Sequence, residues 1–326
     1  MPKVSNVASV ERRKLVSGPL SKGDKWFFRT TSIASNFAFV LVALILVFLL
    51  IKSWPALQAQ GPLFVFGDKW DAEASPPVMQ LGPMLWGSIL VAFLGISLAT
   101  PMAIAAAYVI VFMLPSGLAK VATTLIDLLA ALPSVVIGLW GLFSFAPVAA
   151  HWAKILNQSL GWIPIFAISD EEPTYIDSPF IAGWIVAIMV VPIITSVTRE
   201  IFSQMDSGLI NGALALGGSR FSVFSRVILP TSASGILGGI LLGLGRAIGE
   251  TVAILYVLQL SFEINWVQIL EARGGAVASW ILSRFGEATE TEFAGLMAAG
   301  LVIFIFTLII NSIAGFIVSR APGSKR

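Results

Sequence analysis

Residues 211–230 read NGALALGGSRFSVFSRVILP. This stretch decides the fold, because it sets two short helical pieces between two long apolar runs. The pattern is a helix, a turn at Gly217-Gly218, a second, basic amphipathic helix with Arg220 and Arg226, and then Pro230. Glycine suits a turn that needs left-handed backbone. Pro230 suits the first turn of the helix that follows, where its missing N–H costs nothing. A small helix held by a tight glycine turn is a knob that can dock into another protein. Periodicity alone fits a surface linker helix equally well.

The chain around it is a membrane chain. Its 326 residues are 57% hydrophobic and only 12% charged, about half the charge of an average soluble domain. There is no cysteine and a single histidine, His151, which excludes thiolate chemistry, HExxH sites and multi-histidine metal centres. Gly-Lys never occurs, so the chain has no phosphate-cradling Walker A loop and is expected not to hydrolyse ATP. Seven Lys or Arg crowd residues 1–30. That basic region, and the apolar run after it, are too long for a usual signal peptide.

A membrane helix needs about 20 apolar residues. The expected spans are 31–54, 84–113 (kinked near Pro101), 121–147, 178–198, 231–260 and 293–319. The organisation is then a basic tail 1–30, a first helix 31–54, an extracytoplasmic loop 55–83 and a permease-like body 84–319 holding the loop 199–230. Segment 275–286 is too short to span and is expected to be a surface or re-entrant helix. With the N-terminus inside, inner segments hold fourteen Lys or Arg and outer ones five. The positive-inside rule therefore predicts N-in and C-in. The outer loops carry the acids, among them Asp68, Asp71, Asp170, Glu171, Glu172 and Asp177. The long loops 55–83 and 148–177 can offer a surface to an extracytoplasmic partner or anchor aromatics at the interface.

One basic residue, Arg246, stays in the membrane. It lies in GLGRAIGETVAILYVL (243–258), four residues before Glu250. On an ideal wheel with Gly235 at zero, Gly239, Gly243, Arg246 and Glu250 fall at about 40°, 80°, 20° and 60°. Both charges are thus expected on the glycine face, which lets another helix approach closely. A charge at mid-membrane costs about 3 kcal/mol or more. The pair is either buried glue between helices or part of a polar pathway. Arginine's planar fork suits a tetrahedral oxyanion. Asp127 is expected to cap near the inner interface, with pairing to Lys120 or contact with the pathway as the alternatives. Ser134, Thr195 and Ser196 are candidate pore hydroxyls that can instead bond their own helix backbone.

Three motifs carry a resemblance. Asn211-Gly212-Ala213, then Gly217, then Val227-Ile228-Leu229-Pro230 is similar to the ATPase-coupling loop of ABC importer permeases, with Asn211 where that family has glutamate. GLGRAIGET (243–251), LAALPSVVIGLWGLF (129–143) and ASWILSRFGEA (278–288) resemble the phosphate-specific permeases of that family. The Gly-Leu-Gly before Arg246 looks more like the PstC type than the PstA type. The resemblance covers roughly residues 84–318.

It implies an all-α, six-span membrane protein with a type-1 ABC permease (MetI-like) core in a bacterial inner membrane. The implied activity is ATP-driven phosphate import, with a PstA-type permease partner, a PstB-type ATPase dimer holding ATP and Mg, and a PstS-type binding protein outside. It implies coupling through Asn211, Gly212, Ala213, Gly217 and Pro230, and a substrate pathway at Arg246, Glu250, Thr251 and Ser134. No cofactor, metal or nucleic acid is expected on this chain. The rival readings are a PstA-type permease, a permease for another oxyanion, or an ATP-independent carrier, against which the coupling loop speaks.

Overall fold

The fold is seen in a computed structural model, which describes residues 21–169 and 173–320. Lys3, Arg12, Arg13 and Lys14, the acidic run Asp170, Glu171 and Glu172, and the terminal Lys325 and Arg326 lie outside the described residues. The chain divides into two units, one up to Phe48 and one from Leu49 onward. The first span, Lys22–Gln60, begins in the first unit and ends in the second. A reciprocal cap starts it. Ser21 Oγ accepts from the Asp24 N–H, and Asp24 Oδ2 accepts from the Ser21 N–H, both at 3.1 Å, so two orphan donors are satisfied at once.

Among the described residues, six helices are long and apolar enough to cross a membrane. The second, Gly82–Met113, is helical throughout and keeps Pro101 inside it. Its last turn, Val109–Met113, widens to π geometry before Pro115 ends it. The fourth, Pro179–Ser203, is the most enclosed. It packs on the second and fifth spans through glycine. A Cβ on Gly95 would collide with Val186, and one on Gly243 with Val190 and Ile194. Small residues allow such close approach between membrane helices. The sixth span is the first part, Glu290–Ile313, of a helix that runs to Arg320.

Two expected spans are corrected. The third was expected as one helix over 121–147. The chain instead forms a helix Ser116–Ala130, breaks, and resumes as Ser134–Leu160. Pro133 causes the break, because it lacks an N–H and its ring clashes with the preceding turn. The fifth was expected over 231–260. It runs from Arg220 to Ile248, stops, and resumes as the half-helix Val252–Val257. Gly249 follows the last helical residue, a position where glycine favours termination. The basic helix before Pro230 is not separate either. It joins the fifth span through a π turn, Phe224–Ile228, and Pro230 lies in the first turn beyond it.

The two ends of the bundle differ. One, the docking end, carries the helix Ser207–Ala215. The other, the hairpin end, carries the strands Trp70–Asp71 and Val78–Met79, paired antiparallel, and the short helix Val277–Phe285. The short helix stands where a non-spanning segment was expected.

Candidate functional site

Local bonds fix both ends of the helix Ser207–Ala215. Asp206 caps it, its Oδ1 accepting from the Gly208 N–H at 2.8 Å. At its end Gly217 has φ +83°, a conformation that costs an L-residue about 1–2 kcal/mol. The Gly217 and Gly218 N–H groups then donate to the carbonyls of Leu214 and Ala213 at 2.9 and 3.1 Å. Ser219 caps the next helix through the Ser222 N–H at 3.2 Å. Ile210 and Ala213 pack on a cluster around Phe202, Val223 and Ile228. Asn211 and Gly212 face outward, and Leu216 and Phe221 are both largely exposed. The knob therefore presents apolar side chains on a fixed backbone.

The second region is the pair of helix breaks. A Cβ on Gly138 would stand 2.7 Å from the Ala253 Cα, so the resumed third span and the half-helix Val252–Val257 touch backbone to backbone. Both belong to odd-numbered crossings and run in the same direction. Ser134 and Gly249 each precede that contact by four residues, which sets the two breaks side by side at one depth. Gly141, one turn further on, packs against Ile185 and Val257.

Arg246 and Glu250 do not share a face. Gly239, Gly243 and Ala247 are buried toward the fourth span, while Arg246 is exposed on a stripe with Leu242 and Gly249. The ideal wheel places Arg246 about 60° from Gly243, enough to turn it off the packed face. The helix also ends at Ile248, so the i,i+4 geometry no longer applies at Glu250. Among the described residues no ion pair joins the two. Glu250 is only 8% exposed, and its Oε1 accepts from the Ala253 N–H at 3.4 Å, capping the half-helix. Thr251 Oγ1 donates to the Gly249 carbonyl at 3.2 Å. Ser134 is half-buried at the start of the resumed third span.

The other membrane hydroxyls divide. Buried Thr195 donates to the Ala103 carbonyl of the second span at 3.5 Å. Ser196 Oγ donates to Asp127 Oδ1 at 3.3 Å, tying the helix Ser116–Ala130 to the fourth span. Among the described residues Asp127 makes no ion pair with Lys120. Two features were invisible in the sequence. Ser279 Oγ donates to the Thr251 carbonyl at 2.8 Å. Arg284 grips Glu292 with two hydrogen bonds, Nε to Oε1 at 2.8 Å and Nη2 to Oε2 at 3.1 Å. Glu292 is 2% exposed and also accepts from the Trp70 indole at 3.1 Å. Its hydrogen bond raises the Arg284 pKa above the ordinary guanidinium value.

Comparison with known proteins agrees with this architecture. Residues 99–321 match the family described as binding-protein-dependent transport system inner membrane component. Among curated relatives, the phosphate transport system permease protein PstC of Xylella fastidiosa is 34% identical over 300 residues, covering 90% of both chains. That of Haemophilus influenzae is 32% identical, covering 92% of this chain and 94% of the relative. PstC 2 of Mycobacterium tuberculosis is 32% identical, covering 91% and 92%. A bacterial alginate ABC transporter crystallised with its alginate-bound periplasmic protein has a similar chain, with TM-score 0.58, 16% identity and coverage of 90% and 94%. The inward-facing MetNI methionine ABC transporter gives TM-score 0.52 at 12% identity, covering 73% and 94%.

Proposed function

The chain belongs to the family of binding-protein-dependent transport system inner membrane components, and from that premise we propose that it is the PstC-type permease subunit of an ATP-driven inorganic phosphate importer. The observation that carries the substrate is the likeness to phosphate permeases across nine-tenths of the chain. The protein is a multi-pass inner-membrane permease component. Its docking end faces the cytoplasm and its hairpin end the outside, in line with the excess of Lys and Arg on the docking side.

The partners follow from that role. A second permease subunit of the PstA type completes the pathway. A PstB-type ATPase pair, which holds ATP and Mg, receives the docking helix through Leu216 and its neighbours. A PstS-type binding protein delivers phosphate to the hairpin end. This chain binds no cofactor of its own.

Arg246 is the pathway cation. It is exposed three residues before the break at Gly249, with no ion-pair partner among the described residues. A phosphate oxyanion there meets a fixed positive charge in a low-dielectric setting. One arginine is a thin cage, so donors from the second subunit complete it. Ser134 and Thr251 border the same level and offer hydroxyls. Glu250 holds the half-helix cap beside them and so fixes where Thr251 stands. ATP-driven closure of the ATPases pulls the docking helix and, through the continuous fifth span, the helix that bears Arg246.

The test is uptake of labelled phosphate by proteoliposomes carrying the copurified complex. Uptake should need ATP and the ATPase, stop with vanadate, and survive excess sulfate. Uptake that persists without the ATPase, or that sulfate abolishes, overturns the reading.

A further inference from the structure

We propose that the short helix Val277–Phe285 is the link through which docking at the hairpin end sets the break in the fifth span, with Ser279 as the positioning residue. The proposal deepens the importer reading and takes from it the protein that docks there.

The helix is tied at both ends. At its start, the Val277 N–H donates to Ser88 Oγ at 2.9 Å, and Ser88 Oγ donates to the Met84 carbonyl at 2.9 Å. Gly87 lies so close under the Gly275 carbonyl that a Cβ would overlap it. The first turn is therefore clamped on the second span. At its far end Arg284 holds Glu292 of the sixth span, which also takes the Trp70 indole of the hairpin. The Arg284 guanidinium lies 5.8 Å from the Trp280 ring centroid. Trp280 meets Trp70 and Phe262 at 5.7 and 4.7 Å between centroids. A helix of nine residues, about 13 Å long, joins these two anchors as a stiff rod.

Ser279 connects the rod to the break. It is fully buried, yet it does not bond its own helix, as Thr307 and Ser312 do with the carbonyls four residues back. It donates instead to Thr251, whose carbonyl also takes the Leu255 N–H at 3.1 Å. The first turn of the half-helix, next to the Glu250 cap, is thereby held by a group on the rod. A tilt of the rod, driven from the hairpin, shifts that turn relative to Arg246. A hydroxyl that only filled space would leave the break unaffected by its loss.

The experiment uses the reconstituted complex with its ATPase and binding protein. Ser279→Ala should lower binding-protein-stimulated ATP hydrolysis and phosphate uptake about tenfold, the factor for one buried hydrogen bond. Basal hydrolysis and complex yield should not change. Ser279→Thr and Ser279→Val have the same bulk and differ in the hydroxyl, so per assembled complex the Thr variant should transport about tenfold faster than the Val variant. Amide exchange across 249–255 reads the link without transport and should be faster in the Val variant. Equal exchange and equal rates in the pair, or basal and stimulated rates that fall together with yield, overturn the proposal. A wild-type complex that takes up no phosphate but shows the exchange contrast sinks the importer reading and leaves the link standing.

Discussion

Arg284 and Glu292 are joined by two parallel hydrogen bonds of 2.8 and 3.1 Å, on a carboxylate that is almost fully buried. They hold the short helix against the sixth span. Removing one partner leaves a buried group unsatisfied, which costs about 1–3 kcal/mol. Arg284→Gln should therefore lower the thermal midpoint of the detergent-solubilised permease by several degrees. Adding Glu292→Gln should recover part of the loss, because the uncompensated charge is gone. Single and double variants with equal midpoints would show that the pair contributes no stability.

The pathway cation gives the sharpest contrast. Arg246→Gln keeps size and hydrogen bonding but removes the charge, and Arg246 is exposed, so assembly should be unaffected. Phosphate uptake should collapse at normal complex yield, while ATP hydrolysis continues. Glu250→Gln should impair uptake less, since an amide oxygen can still accept from the Ala253 N–H. Uptake by Arg246→Gln at the wild-type rate would remove Arg246 from the pathway.

Gly217 tests the docking knob. A Cβ there meets open space, so Gly217→Ala acts through backbone strain alone, about 1–2 kcal/mol. Weaker retention of the ATPase, by roughly tenfold, should accompany reduced uptake, with the permease still inserted. Undiminished copurification of the ATPase would show that the turn does not serve docking.

Orientation follows from charge. Reporter tags fused at residue 5 and at residue 326 should both report cytoplasm, and one inserted after Gly161 should report the outside. A C-terminus on the outside would invert the assignment of docking and hairpin ends.

Asp177 offers a pH test outside the spans. Its φ is +62° and burial raises its pKa. An acid with a raised folded pKa favours the folded state when protonated. Its ionisation removes stability as pH rises from the ordinary carboxylate value toward the folded one. Asp177→Asn tolerates left-handed backbone and carries no charge. It should raise the thermal midpoint at pH 7 and have little effect at pH 3.5. An equal shift at both pH values would point to something other than the charge.

The turn that ends the docking helix was legible because it is local: the Gly217-Gly218 pair bonds carbonyls three and five residues back, so spacing alone exposes it. The Asp206 and Ser219 caps became visible only in the structure. The breaks were not legible. Pro55, Pro101 and Pro192 lie inside helices, whereas Pro133 ends one, and hydropathy cannot tell these cases apart. The ideal wheel assumed that the fifth helix continued through Gly249, and so it paired Arg246 with Glu250. Ser279 and Thr251 are 28 residues apart, with no period to connect them. Their meeting depends on how the chain returns across the second span at Gly87 and Gly275.

The π turn at Phe224–Ile228 has a consequence for how such chains can diverge. A π turn holds one residue more than the α turn it replaces. Deleting any one of the five would restore an α turn that sweeps about the same angle, so both flanking helices would keep their bearings. The docking knob would still face the same way around the fifth span, and the glycine face toward the fourth span would stay in register. The turn thus holds a spare residue: one codon lost there removes the bulge and leaves both the knob's bearing and the membrane core unchanged.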